Sequence, residues 1–362
     1  MSEMESGLYA INVDNMVEML SKAYISLIRT NTPFKQFPSV MLWGPPGVGK
    51  SQGVREIARV IESETDKKVV ITDVRLLLFN PVDLRGIPTA NEDKTLAVWL
   101  KPKIFQMDDC KDVVNILFLD EISAAPPSVQ SAAYQITLDR MVGEHKLPDN
   151  CIVIAAGNRV TDKSVAYNMP KALANRLCHF EIKGDSKSWH DWALKSGVHK
   201  YVISYLEYNS GALMRFDSSG TSLAFATPRS WEMVSNILNT VSDNIVEVYP
   251  MIIGCVGHNT ASNFRTWAEL FETMPEVEDI FAGDEIEVPK APELQVVLRA
   301  EMVEYARKHP EKILIDTSID FACRLPWAFR GKLMHDYGCI PELEPFVREN
   351  EVYKTAMRNA KK

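Results

Sequence analysis

The sequence contains few cysteines, and none of them lie close together. Six occur among its 362 residues, with no C-x-x-C pair, so their spacing indicates neither a disulfide framework nor a cysteine-based metal site. No other His/Cys/Asp cluster has metal-ligand spacing along the chain. Several cysteines lie in apolar runs, which is typical of reduced, buried thiols in a cytoplasmic protein. They are Cys110, Cys151, Cys178, Cys255, Cys323 and Cys339.

The sequence also lacks long apolar runs and a basic leader. No apolar stretch approaches the roughly 18 residues that a membrane-spanning helix needs. The N-terminal stretch carries Glu3 and Glu5 and has no basic region followed by an apolar block. We therefore expect no signal peptide and no membrane span.

Basic residues are not in excess. The chain has 40 Lys and Arg against 48 Asp and Glu, a net charge of −8. This balance argues against binding to bulk nucleic acid, although it leaves room for a local basic loop. The hydrophobic share of 46% is ordinary for a folded protein. The length allows two domains.

One stretch has a specific pattern of strand, glycine-rich loop and helix. The apolar run Val40 to Trp43 predicts a buried strand, and helical spacing of apolar residues begins after Ser51. In this context G-x-x-x-x-G-K-[ST] predicts a phosphate site, because loop N–H groups and a helix start face the anion. We expect Lys50 to reach the β- and γ-phosphates and Ser51 to hold Mg²⁺. The expected nucleotide contacts are Gly44, Pro45, Pro46, Gly47, Val48, Gly49, Lys50, Ser51 and Gln52.

Further short apolar runs predict a parallel sheet between helices, hence an α/β fold. A helix over residues 8 to 30 precedes the first strand. The remaining strands are expected at 68–74, 115–121, 151–156 and 177–182, with helical segments between them. Ligands bind beyond the carboxyl ends of such strands.

Polar residues follow two of these strands at that end. We expect Asp120 to hold Mg²⁺ and Glu121 to activate the attacking water. The carboxamide of Asn158 can bond the γ-phosphate and the water at once. The alternatives are a strand that simply meets solvent at Asp120 and a turn residue at Asn158.

With these strand ends in view, the sequence resembles an AAA+ ATPase and, within that superfamily, the MoxR group. Gly44 to Ser51 resembles the Walker A motif, and Leu117 to Glu121 resembles Walker B. The resemblance implies a sensor-1 role for Asn158 and an arginine finger at Arg176, which reaches the neighbouring subunit's site. It also implies that Arg229 is the sensor-2 residue, contacting phosphate from a helical lid.

Two inserts favour the MoxR group. Residues 78–105 resemble its insert in the second core helix, and 139–148 resemble its hairpin before sensor 1. Residues 124–130 resemble the segment that follows Walker B in this group. One departure is Asn175, where many MoxR proteins have Asp before the finger.

The resemblance covers residues 9 to 275 and implies an AAA+ P-loop core with a parallel five-stranded sheet. We expect an N-terminal helical segment over 1–36, the core over 37–184, a helical lid over 185–275 and a mostly helical C-terminal extension over 276–362.

The resemblance implies Mg²⁺-dependent ATP hydrolysis in a homo-oligomeric ring, which we expect to be a hexamer, coupled to remodelling or activation of a partner protein. A separate von Willebrand factor A domain protein would bring the client. Three other classes stay open: a small-molecule kinase, a DNA-acting AAA+ motor and a nucleotide-gated binding module with little turnover. The loop does not distinguish ATP from GTP.

Overall fold

The structure is a computed structural model that describes residues 8–159, 167, 169, 174–215, 223–274, 277–284, 286, 289–352 and 354. The chain forms two compact units, Met1–Gly184 and Asp185–Lys362. Among the helices in these described ranges, none is long and apolar enough to cross a bilayer.

The first unit is built on a parallel sheet with the strand order β1-β10-β2-β9-β6-β3. Every neighbouring pair in it is parallel, and β9 is buried along its whole length, as expected of a strand covered on both faces. The strands of this sheet are β1 (Ala10–Ile11), β2 (Val40–Trp43), β3 (Lys68–Arg75), β6 (Val113–Asp120), β9 (Cys151–Gly157) and β10 (Cys178–Ile182). The helices are α1 (Val13–Arg29), α2 (Lys50–Glu64), α3 (Pro81–Arg85) and α4 (Pro127–Asp139).

The α/β fold and the parallel sheet are confirmed, but the expected count of five strands is wrong. The sixth strand, β1, lies where the sequence predicted the start of a helix. β1 is an outer strand of the sheet, and its Ile11 pairs with Ile182 of β10. The side chain of Asn12 then caps α1 by accepting a hydrogen bond from the N–H of Asn15 at 2.9 Å. Two residues of strand are too short to give a periodic signal.

Two small hairpins accompany the sheet. One pairs β4 (Ile87–Ala90) with β5 (Ala97–Leu100), and the other pairs β7 (Met141–Val142) with β8 (His145–Lys146). His145 Nε2 lies 2.8 Å from the carbonyl oxygen of Trp99. The hairpins, which lie in the two predicted inserts, are therefore joined to each other.

The second unit is helical. A single cluster of buried apolar side chains runs from Trp189 to Val347, so the predicted lid and the predicted extension contribute to one core. Its helices are α5 (Ser186–Lys195), α6 (Lys200–Tyr208), α7 (Pro228–Thr240), α8 (Ile245–Val256), α9 (His258–Ala268), α10 (Val277–Ala282), α11 (Pro292–Lys308), α12 (Lys312–Ala322), α13 (Trp327–Cys339) and α14 (Glu344–Glu349).

The helical patterns predicted at the C-terminal end are met in part. The pattern over 293–308 coincides with α11. The pattern over 341–358 contains α14, while its residues 353 and 355–358 lie outside the described part of the chain. Helices α12 and α13 were not predicted. The buried side chains of α13 do recur at helical spacing, but one of them is the charged Asp336, while the apolar Trp327 on the same helix is exposed. The one-sided apolar pattern is therefore weak in the sequence.

A buried group of charges joins α5, α6, α11 and α13. Arg299, 3% exposed, donates from Nε to Asp336 Oδ2 at 2.9 Å and from Nη2 to Glu207. Glu207 also accepts from Lys332 Nζ at 2.7 Å, and His190 Nε2 lies 3.1 Å from Asp336 Oδ1. Burial alone raises the pKa of Asp336, but the hydrogen bond with His190 and the charge of Arg299 outweigh it and hold that pKa below the ordinary value.

We predict that Asp336→Asn lowers the free energy of unfolding by about 3 kcal/mol at neutral pH, the low end expected for breaking a buried ion pair, since Arg299 then keeps only Glu207 as a charged partner. Because the native pKa of Asp336 is lowered, its stabilising contribution is present above the unfolded pKa, about 3.8, and is lost as the pH falls through the native value. Denaturant unfolding at several pH values should show the difference from wild type shrinking below about pH 4. Asp320→Asn, at an exposed position on α12, is the control and should change little.

Candidate functional site

The loop between β2 and α2 is shaped to receive an anion. Gly49 precedes α2 in the left-handed region, with φ of 102°, and no side chain caps the helix. The first N–H groups of α2 are therefore left facing the loop, and the helix dipole adds positive potential there. A Cβ on Gly44 would lie 2.6 Å from the carbonyl oxygen of Ile182, so glycine is required for the loop to pass this close to β10.

The side chain of Lys50 is buried and bonds to the backbone of the loop. It is 8% exposed. Its Nζ donates to the carbonyl oxygens of Gly44 at 2.6 Å and Pro45 at 3.1 Å, and to Asn158 Oδ1 at 3.0 Å. The ammonium group therefore lies between the ends of β2 and β9, with oxygen acceptors on both sides.

A hydroxyl and a carboxylate meet next to this lysine. Ser51 Oγ donates to Asp120 Oδ2 at 3.0 Å, which joins the start of α2 to the end of β6. Burial and the charge of Asp120 raise the pKa of Asp73 on β3. Oxygen donors gathered in this way match the ligands that Mg²⁺ takes in proteins, so the residues present fit the expected ion.

The turn after β6 begins at Glu121. Glu121 has φ of 60°, a conformation that costs a residue with a side chain energy and is typical of functional sites. Its N–H donates to Asp120 Oδ1 at 2.9 Å. Two residues further on, buried Ser123 accepts from the N–H of Asn158 through Oγ at 2.9 Å. This bond fixes the turn after β6 against the end of β9.

Arg176 lies at the amino ends of the strands, which is the opposite end of the sheet from Lys50 and Asp120. It precedes β10, whose first residue Cys178 pairs with Val40, the first residue of β2. Its exposed side chain lines a cleft with Lys35 and Lys146. The phosphate loop begins four residues beyond Val40, roughly 13 Å along the strand at about 3.3 Å per residue. Arg176 therefore belongs to the amino edge of the sheet, and Lys50 to the carboxyl edge.

Arg229 lies in the second unit. It is exposed at the second position of α7, which is capped by the reciprocal pair Thr227 and Ser230. The Ser230 N–H donates to Thr227 Oγ1 at 3.1 Å, and the Thr227 N–H donates to Ser230 Oγ at 2.8 Å. The sensor-2 role of Arg229 stays a prediction.

The structure thus brings five of the predicted site residues to one edge of the sheet: Lys50, Ser51, Asp120, Glu121 and Asn158. Sequence reasoning missed Ser123 and Asp73. Asp73 carries a recognisable signal, because a carboxylate near the carboxyl end of a predicted parallel strand points to the site. Ser123 carries none, since its role depends on a contact with a residue on another strand.

Residues 39–179 match the family model described as "ATPase family associated with various cellular activities (AAA)". The match covers the loop after β2, the turn after β6 and the end of β9, as well as Arg176. The matched part of the first unit therefore has the AAA+ P-loop fold.

The other similarities are short or distant. A segment of 49 residues is 53% identical to the uncharacterised protein ycf45 of Porphyra purpurea. The segment makes up 14% of this chain and 8% of the length of that protein. A mutant of RuvB from Thermotoga maritima aligns with 94% of this chain and 88% of its own, at 14% identity and a TM-score of 0.35. NtrX from Brucella abortus in complex with ATP aligns with 91% of this chain and 66% of its own, at 12% identity and a TM-score of 0.38. Such TM-scores support no conclusion about this chain.

We predict that Ser123→Ala slows ATP hydrolysis and lowers the free energy of unfolding by about 1 kcal/mol. The substitution removes the acceptor that holds the N–H of Asn158. Steady-state turnover and denaturant unfolding measure the two effects. Ser131→Ala, an exposed serine on α4 whose Oγ donates to the Pro127 carbonyl oxygen, is the matched control. Equal turnover in both variants would contradict the bridging role of Ser123.

Proposed function

We propose that this chain is a MoxR-type AAA+ ATPase that couples Mg²⁺-dependent ATP hydrolysis in a ring to remodelling or activation of a partner protein. The observation that carries the proposal is the division of the site between two edges of one sheet. Lys50, Asp120 and Glu121 lie at the carboxyl edge, and Arg176 lies at the amino edge. One subunit therefore presents most of an active site at one edge and a cation at the other.

The loop after β2 and the residues that flank it would bind ATP and Mg²⁺. Lys50 and the N–H groups at the start of α2 would hold the β- and γ-phosphates. Ser51 and Asp120 would hold Mg²⁺, which supplies neutralisation of the phosphate charge. Their contact at 3.0 Å supports the proposal that both bind the same ion.

The residues of the turn after β6 and of the end of β9 would take part in hydrolysis of the γ-phosphate. Glu121, which follows Asp120 directly and has a left-handed backbone, would accept a proton from the attacking water. Asn158 would orient the water and the γ-phosphate. Its Oδ1 already accepts from Lys50 Nζ at 3.0 Å, so the carboxamide lies beside the lysine that would hold the γ-phosphate.

Arg176 would complete the site of the neighbouring subunit. It is too far from its own loop to do so within one subunit, and its side chain is exposed at a cleft that Lys35 and Lys146 line together with Asp139 and Asp149. Charge that develops on the γ-phosphoryl oxygens needs such a cation, and an arginine supplied from outside is worth about 10³–10⁵ in rate in other phosphoryl-transfer enzymes. A closed ring, which we propose to be a hexamer, gives every site a neighbour.

The remaining roles concern the second unit and the partners. Arg229, exposed at the start of α7, would act as sensor 2 on the phosphates. The joined hairpins carry the exposed apolar side chains Ile87, Leu96 and Leu100, which suits contact with a client protein. A separate von Willebrand factor A domain protein would bring that client.

The first test separates binding from chemistry. We expect Glu121→Gln to bind ATP with Mg²⁺ normally while turnover falls by at least about 100-fold, because the water loses its base. Lys50→Ala should weaken ATP binding itself. Equilibrium binding of a fluorescent ATP analogue and steady-state phosphate release measure the two steps. Normal turnover in Glu121→Gln would exclude Glu121 as the base.

The experiment that tests the shared site mixes two defective variants. Arg176→Ala and Glu121→Gln should each hydrolyse ATP poorly. In a mixed ring, a complete Lys50–Glu121 site from one variant can face an intact Arg176 from the other. We therefore expect turnover of the mixture to exceed the sum of the two separate variants.

A separate arginine variant serves as the control for the mixing experiment. Arg59→Ala, an exposed arginine on α2 paired with Glu56 at 3.3 Å, should hydrolyse ATP normally, which shows that loss of a surface arginine is harmless. Subunit exchange is checked by copurification of differently tagged chains. Exchange without excess turnover at any mixing ratio would exclude an arginine supplied in trans.

A further inference from the structure

Three side chains with different donor atoms meet between α5 and α13 in the second unit. His335 Nε2 lies 2.7 Å from Asp191 Oδ1 and 3.7 Å from Cys339 Sγ. One ligand atom from each residue lies within 4.8 Å of the others. His335 and Cys339 are four residues apart on α13 and so share one face of that helix. Asp191 is 144 residues away along the chain, and for this reason sequence spacing did not indicate the group.

These distances are close to those of a tetrahedral zinc site. With Zn–N of about 2.05 Å and Zn–S of about 2.3 Å, a tetrahedral angle separates nitrogen and sulfur by about 3.6 Å. The observed His335–Cys339 separation is 3.7 Å. The same geometry needs about 3.4 Å between nitrogen and oxygen, whereas His335 Nε2 and Asp191 Oδ1 are 2.7 Å apart, so these two atoms must move apart by about 0.7 Å. Both side chains are partly exposed, at 26% and 41%, which leaves room for that movement and for entry of an ion.

Without metal, the same atoms form a charged hydrogen bond. The hydrogen bond with Asp191, and then that with Cys339, raise the pKa of His335 to about 10. A metal ion would replace the proton between His335 and Asp191 and the thiol proton of Cys339, which is how metal binding to such ligands releases protons.

Two other groups of possible ligands are less suitable. His190, Glu207 and Asp336 lie close together, but Arg299 already binds both carboxylates. Asp108, Asp109 and Cys110 are consecutive and exposed. Three neighbours on one exposed segment do not tie separate elements together.

We propose that Asp191, His335 and Cys339 form a Zn²⁺ site with water as the fourth ligand, and that the ion joins α5 to α13. Nitrogen, sulfur and oxygen donors together suit Zn²⁺ better than Mg²⁺ or Ca²⁺, which take oxygen alone. Helix α5 is the first of the second unit, so the ion fastens the beginning of this unit to a helix near its end. The site is independent of the phosphate loop and does not depend on the proposed function.

The test uses the full chain after chelator treatment, without nucleotide and with excess Mg²⁺ to occupy oxygen-only sites. After Zn²⁺ is added back and unbound metal is removed, we expect one Zn²⁺ per chain by elemental analysis. We also expect a higher midpoint of thermal unfolding with Zn²⁺ than without it. Cys339→Ser and His335→Gln should lose more than about 100-fold in Zn²⁺ affinity, because even residues behind the ligands typically cost 10–100-fold. Cys110→Ser removes the thiol of the exposed group and should bind Zn²⁺ as wild type does.

Co²⁺ gives a readout that does not depend on any variant folding. Bound to the wild-type chain, it should show the thiolate-to-cobalt absorption band, and Zn²⁺ should displace it. Absence of that band, or Zn²⁺ binding that survives Cys339→Ser but not Cys110→Ser, would overturn the proposal and leave an ordinary His335–Asp191 ion pair.

Discussion

The parallel direction of the strands in the first unit determines where its chemistry lies. Since every strand of the sheet runs the same way, all carboxyl ends meet at one edge. This constraint brings Lys50, Asp120 and Asn158 together, although more than 100 residues separate the first from the last. Because Arg176 precedes β10, the same constraint places it at the amino ends of the strands. A reversed strand in this sheet would separate the groups or place the arginine beside its own loop.

The two units use charge in different ways. In the first unit, Lys50 and Ser51 bond to oxygens at the carboxyl ends of the strands, where we propose that these bonds give way to a bound phosphate and ion. In the second unit, Arg299 and Asp336 are enclosed by helices, and no such exchange is available. There the charges contribute chiefly to a single arrangement of the helices, because a buried charge without its partner is costly.

The sequence predicted those parts of the fold that rest on local patterns. Val40 to Trp43 and residues 151–156 are continuous apolar runs, and both are buried strands. The strand at Ala10–Ile11 was missed because its pairing with β10 is a long-range contact of two residues. The contacts of the site follow the same division: Lys50 and Glu121 are marked by motifs, whereas the bond from Asn158 to Ser123 depends on the packing of two strand ends. The roles of Arg176 and Arg229 stay predictions.

The central claim is that a single subunit holds an incomplete active site. It is tested most directly by measuring ATP turnover per subunit over a wide range of protein concentrations, with the assembly state followed by sedimentation. The account predicts that turnover per subunit rises with ring assembly in the wild type, and that Arg176→Ala assembles over the same range without that rise. Turnover per subunit that is the same for monomers and rings would contradict it.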